Sequence, residues 1–137
     1  FSLTGPLRRL RNSLQIYCDI AEKNLATPLV HICEYRVGLR MKMIRALESV
    51  LDGTQFNDNV ANTDCNHDYG NPYRDDAADF ETARRRDNKA LEELYNLYQQ
   101  LQPSRTLIQI AEVIQDLQND LEKFSVAPGL AAYKSRN

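Results

Sequence analysis

The sequence is short of the residues and motifs that announce most chemistries. It holds two His and three Cys in 137 residues, with no G-x-S-x-G elbow, no Walker A loop, no dinucleotide glycine fingerprint and no H-E-x-x-H pair. The expectation is therefore a protein that is not an enzyme and needs no cofactor or small-molecule substrate. Three cysteines cannot complete a disulfide framework. Five Gly and five Pro exclude collagen-like and linker-like chains. No apolar run reaches the roughly 18 residues of a membrane span. The net charge of −2 makes the chain no polycation drawn to nucleic acid.

What is present is helical periodicity. At this length, with 42% hydrophobic and 26% charged residues, one globular domain over 1–137 is expected. Leu7, Leu10, Leu14, Tyr17 and Ala21 recur at steps of three and four, widened by Ile16 and Ile20. With Gly5-Pro6 as a start signal, this predicts a helix from about Pro6 to Asn24. A second helix is predicted from Pro28 to Leu51, capped by Thr27, striped by Val30, Cys33, Val37, Met41, Ile44, Leu47 and Leu51, and ended by Gly53. A third runs from Asp76 to Leu101. Asp75, Asp76 and Asp79 sit at its positive end, and Ala83, Ala90, Leu94, Leu97, Tyr98 and Leu101 form its stripe. A fourth runs from Ser104 to Phe124 on Leu107, Ile110, Ile114, Leu117, Leu121 and Phe124. No segment alternates with period two.

Connection lengths then predict topology. Short links join the first and second helices and the third and fourth, so each pair should be antiparallel. A long connection at 52–75 separates the pairs. The expected fold is an all-α four-helix bundle of two antiparallel hairpins joined by a long acidic crossover loop. Loops of that length are usually functional or disordered. Charge is segregated accordingly: net +4 over 1–50, −7 over 51–82 and +1 over 83–137. Beyond the fourth helix, 125–137 reads as a loose tail, or as an arm that reaches a neighbour through Leu130 and Tyr133.

Several constellations invite a site. Asp64, Asn66, Asp68 and Asp75 fall at positions 1, 3, 5 and 12 of a calcium loop. Position 6, where the chain must turn sharply, is Tyr69, and Gly70 comes one place late. A polar surface loop is the preferred reading, with no metal bound. Cys65 and His67 lack the paired partners of a zinc site. His31 and Glu34 reverse the E-x-x-H order of di-iron bundles. Cys18 and Cys33 read as buried free thiols, the alternative being a disulfide between them.

Arg84, Arg85 and Arg86 fan around a helix, and at least one should pair with a nearby carboxylate. Arg8, Arg9 and Arg11 form a similar group. These arginines are candidate rim contacts for a partner, with Phe56, Val60, Tyr69, Tyr73 and Tyr133 as anchors. The leading expectation is an accessory or structural subunit that binds and stabilises other protein subunits of a larger complex. The rivals are an RNA- or phosphate-binding coat-like protein using the arginines, and a secreted helical ligand. The chain opens at Phe1 with no 7–15-residue apolar core near its start. A processed protein or a trimmed fragment would both begin this way; the preferred expectation is a mature protein that has lost a targeting segment, in a mitochondrion or plastid.

One short resemblance points the same way. Gly5-Pro6-Leu7 followed by Leu10-Arg11 resembles a segment of the PsbQ-like extrinsic subunits of photosystem II, which are lumenal four-helix bundles. In that family a helix precedes the segment, whereas here the segment opens the chain. The resemblance implies an extrinsic subunit of an organellar bioenergetic membrane complex.

Overall fold

A computed structural model describes residues 2–23, 26–51 and 75–123. These residues form four helices and no strand: α1 (Thr4–Ala21), α2 (Pro28–Val50), α3 (Asp76–Gln100) and α4 (Arg105–Lys123).

The helix ends follow from local chemistry. α1 begins two residues before the predicted start. The Thr4 amide donates to Ser2 Oγ at 3.2 Å, and Pro6 lies within the first turn, where its missing N–H is not needed. It ends at Ala21, where the Glu22 amide closes onto the Cys18 carbonyl; Asn24 lies outside the described residues. Thr27 caps α2, its Oγ1 accepting from the Val30 amide at 3.2 Å with Pro28 in the first turn, as expected. α2 ends at Val50, and Gly53 is outside the described residues. Asp75 caps α3, accepting from the Ala77 and Ala78 amides at 3.0 and 3.3 Å. Ser104 precedes α4 and takes the Leu107 amide on Oγ at 3.2 Å, and Phe124 lies outside the described residues.

α1 packs on both α2 and α3; α4 packs on α3 and, less extensively, on α2. Along α1 and just past its end, Arg9 pairs with Glu93, Tyr17 meets Asp87 and Lys23 pairs with Asp76, so numbers rise along α1 as they fall on α3. Arg11 against Glu48 and Tyr17 against Arg36 give the same reversal between α1 and α2. Gly5 marks a close approach of α1 to α3: a Cβ there would lie 2.9 Å from Glu93 Oε2.

Most of the core is one aliphatic cluster drawn from all four helices, including Leu7, Leu10, Leu14, Leu47, Leu94, Ile110 and Leu117. A smaller cluster of Tyr17, Ile20, Val30, Cys33, Phe80 and Ala83 adjoins it. The apolar stripes are not continuous. Val37 and Met41 are only partly buried, while Arg36, Arg40 and Met43 turn inward on α2. Leu51 and Tyr98, both predicted in the core, are 42% and 38% exposed. Asp87 and Asp120 occupy interior positions on α3 and α4. The facing charges explain this rotation. A guanidinium buried on one helix finds its carboxylates on two others, so interior positions need not be apolar.

Candidate functional site

The most unusual chemistry lies in the bundle interior. Arg36 and Arg40 are one turn apart and share the inward face of α2. Asp87 faces them from α3, Asp120 from α4 and Tyr17 from α1, and none of the five is more than 4% exposed. Arg40 Nε and Nη2 donate to Asp87 Oδ2 at 3.1 and 2.7 Å, and Nη2 also reaches Asp120 Oδ2 at 2.6 Å. Arg36 Nε lies 3.1 Å from Asp120 Oδ2. The Tyr17 hydroxyl donates to Asp87 Oδ2 at 2.7 Å and accepts from Arg36 Nη1 at 2.9 Å. The Arg36 guanidinium carbon sits 4.9 Å from the Phe80 ring centroid and 5.3 Å from that of Tyr17. The two rings meet edge-on at 5.9 Å. Two cations and two anions thus close a neutral set, with aromatic faces adding cation–π attraction.

Burial and neighbouring charges act together on Tyr17 and Arg40. Burial pushes the Tyr17 hydroxyl well above its ordinary range; Asp87 adds to the rise and Arg40 and Arg36 oppose it. Burial works to lower the Arg40 pKa, but Asp87, Tyr17 and Asp120 outweigh it and hold that group above its usual value. At neutral pH the phenol therefore stays neutral and the guanidinium charged. What the arrangement does is tie one group from each helix to groups on the others.

The sequence-predicted site residues are dispersed. Arg8, Arg85 and Arg86 are exposed. Arg9 is bound to Glu93 at 2.8 Å, Arg11 faces Glu48 at 3.5 Å, and Arg84 pairs with Glu81 at 2.9 Å, the pairing expected for that run. Arg9 stands at the level of Glu93, whereas Arg86 adjoins Asp87 at the level of Tyr17, so the two arginine groups do not merge. His31 Nδ1 lies 3.2 Å from Glu34 Oε1 on an exposed face. Asp75 is the α3 cap. The remaining calcium and zinc candidates (Asp64, Asn66, Asp68, Cys65 and His67) lie outside the described residues. So do the anchors Phe56, Val60, Tyr69, Tyr73 and Tyr133. Among the described residues no group of three or more His, Cys, Asp or Glu is placed to hold a metal ion.

Of the two helical cysteines, Cys33 meets the expectation of a buried free thiol and Cys18 does not. Cys33 is a buried free thiol, its pKa pushed up to about 12 by burial, with Arg36 opposing and Asp76 adding to the rise. Cys18 is disulfide-bonded, and its partner is outside the described residues. The two are not paired with each other and belong to different core clusters. Cys33 belongs to the Tyr17–Phe80 cluster, and Cys18 lines a cleft with Ala21, Glu22, Glu34 and Val37.

A second feature escaped the sequence reading. Tyr95, Tyr98 and Ile108 are 43%, 38% and 61% exposed near the α3–α4 connection. The tyrosine rings meet edge-on at 6.5 Å. With Ala111, Ile114, Gln115 and Gln118 they line a groove of about 160 Å³ or flank it. A signal existed: between Glu93 and Glu112 the only formally charged residue is Arg105, in a chain that is 26% charged.

No protein-family model matches the chain, and no curated protein or solved structure matches it. The resemblance at residues 5–11 stays a short likeness without a family behind it.

Proposed function

We propose that this chain is a non-enzymatic helical-bundle protein that works by binding another protein, as an accessory or structural subunit. Its architecture in this reading is two antiparallel hairpins, α1 with α2 and α3 with α4, joined by the acidic crossover at 52–75. The reversed numbering of the α1–α2 contacts supports the first hairpin, and the short α3–α4 link supports the second. The carrying observation is the exposed Tyr95, Tyr98 and Ile108 in a stretch almost free of charge. Interfaces are enriched in Tyr, and Tyr95 and Tyr98 stand exposed beside the groove. No helix among the described residues is long and apolar enough to cross a membrane.

One observation favours a second reading, a secreted helical ligand. Disulfides persist in oxidising compartments, and Cys18 carries one. The organellar subunit reading then requires the oxidising side of an organellar membrane.

The deciding measurement is the native mass of the protein isolated from its source, with co-migrating chains identified by mass spectrometry. A large assembly with stoichiometric partners supports the subunit. A lone species near 15.8 kDa rejects it and leaves the ligand reading.

A further inference from the structure

The cysteines can be accounted for one by one. The chain has three, Cys18, Cys33 and Cys65. Cys33 is a free thiol and Cys18 is disulfide-bonded, so within one chain Cys18 has a single available partner, Cys65. Cys65 belongs to the crossover and lies outside the described residues. The helix ends put Cys18 within its reach. Lys23 pairs with Asp76, so the start of α3 stands level with the end of α1, and Cys18 is five residues back, about 8 Å along the axis. Arg11 faces Glu48, so Leu51 stands about ten residues of helical rise, roughly 15 Å, from the level of Cys18. Fourteen residues lead from Leu51 to Cys65 and ten from Cys65 to Asp75, spans of up to about 46 and 33 Å when extended. Charge does not favour the contact. Glu22 and Glu34 line the cleft beside Cys18, with Ala21 and Val37, and the stretch 51–82 is net −7. Although 1–50 is net +4, the cations next to that cleft, Lys23 and His31, already face Asp76 and Glu34.

We infer that Cys18 and Cys65 form a disulfide that tethers the acidic crossover to the cleft between α1 and α2, and that this bond, not charge, holds it there. The occupant of the cleft is thus the chain's own segment around Cys65. The inference goes beyond the protein-binding reading and does not depend on it. It gives the molecule a redox dependence. A dithiol reductant transfers two electrons and two protons: the S–S bond breaks, each cysteine sulfur becomes a thiol, and the reductant closes its own disulfide. Repulsion between the acidic segment and Glu22 and Glu34 then favours separation. Cys33, sealed in the Tyr17–Phe80 cluster, stays a thiol throughout.

The test alkylates the full, unreduced chain in denaturant, digests it with trypsin and maps the peptides by mass spectrometry. Peptide 12–23 should be linked to 46–74, and 24–36 should carry the alkyl group on Cys33. Two copies of 12–23 linked to each other, or 12–23 alkylated, would overturn the inference. Cys65→Ser should raise the alkylated thiols from one to two and lower the melting temperature by about 10 °C, because a long closed loop is lost. An unchanged thiol count would overturn the pairing. On the parent chain, dithiothreitol should shift the backbone amide resonances of Ala21, Glu22, Glu34 and Val37, whereas about 0.5 M sodium chloride should leave them in place. Resonances unmoved by the reductant would remove the segment from this cleft. Shifts as large with salt as with reductant would make charge, not the bond, the attachment. The native mass of the isolated protein decides the subunit reading separately, so either can fail without the other.

Discussion

The middle of the bundle and its α3–α4 end invert each other. In the middle, two arginines and two aspartates are sealed from water among Tyr17 and Phe80. At the end, two tyrosines and an isoleucine stand in water, in a stretch where Arg105 is the one charged residue between Glu93 and Glu112. Both arrangements run against simple partition, and each costs something. Charges taken out of water lose solvation that their mutual attraction recovers only with good geometry. Apolar groups left in water forgo burial. The physical difference is where the compensation sits. The interior cluster finds its ion-pair and hydrogen-bond partners within the chain, across all four helices, although Arg40 Nη1 and Asp87 Oδ1 are buried without a hydrogen bond. The exposed patch has none within the described residues, so its compensation has to come from outside. A feature completed internally is read as architecture, and a feature left open is read as an interface.

The largest effect should come from breaking the interior. Asp87→Ala leaves Arg40 without its main carboxylate and removes the acceptor of the Tyr17 hydroxyl. Loss of one partner from a buried pair costs ~3–5 kcal/mol, and the urea midpoint should fall accordingly. The sharper control replaces the whole set: Arg36→Met, Arg40→Leu, Asp87→Leu and Asp120→Leu together. A stability equal to or above that of the parent, alongside a severe loss for Asp87→Ala alone, would show that the cluster secures helix arrangement more than net stability. An Asp87→Ala cost below about 1 kcal/mol would contradict the interior reading.

A smaller effect is set by alkaline pH. The unfolded chain releases the Cys33 proton near its ordinary value of 9, while the folded chain keeps it until about 12. Between those values the folded state binds the extra proton, so rising pH favours unfolding. The Cys33 contribution is constant well below pH 9 and should then fall by up to ~1.4 kcal/mol per pH unit. Tyr17, also raised, adds to the decline above its unfolded value of 10. Urea titrations at pH 8, 9, 10 and 11 would read the slope. Cys33→Ala should be less stable at pH 8 yet flatter from 9 to 10, and an identical slope in parent and variant would exclude Cys33 as its source.

The same contrast explains what the sequence made legible. Helix positions were readable because caps and stripes act locally: Thr27, Pro28 and Asp75 do what their types do anywhere. The interior cluster was not, because each member looks like a surface residue on its own helix. Only the coincidence of Arg36 and Arg40 on α2 with Asp87 on α3 and Asp120 on α4 makes them core, and that coincidence is tertiary. Asp87 does interrupt the run from Ala83 through Ala90 to Leu94 at a core interval, which was the available clue. Tyr98 shows the converse error. Periodicity puts it on the stripe, but the stripe is wider than the groove α4 fills, so the ring is left at the edge. The arginine triplets drew notice because they are adjacent in sequence, yet adjacency on a helix disperses side chains around the axis.

The smallest stability effect is expected at the exposed end, and its smallness is the point. Tyr98→Ser and Ile108→Thr remove side chains that are 38% and 61% exposed, with no cavity opened in the aliphatic cluster. Surface changes away from caps and pairs lie within about 0.5 kcal/mol, so the doubly substituted chain should melt within a few degrees of the parent. If the bundle instead lost ~2 kcal/mol or more, these residues would be part of the fold's own support and the contrast between sealed middle and open end would collapse. If the melt is unchanged while association with the native partner is lost, the exposed residues are kept for something other than folding. That pairing of outcomes separates an interface from the edge of a core, because only an interface residue can be costly to binding and nearly free to stability.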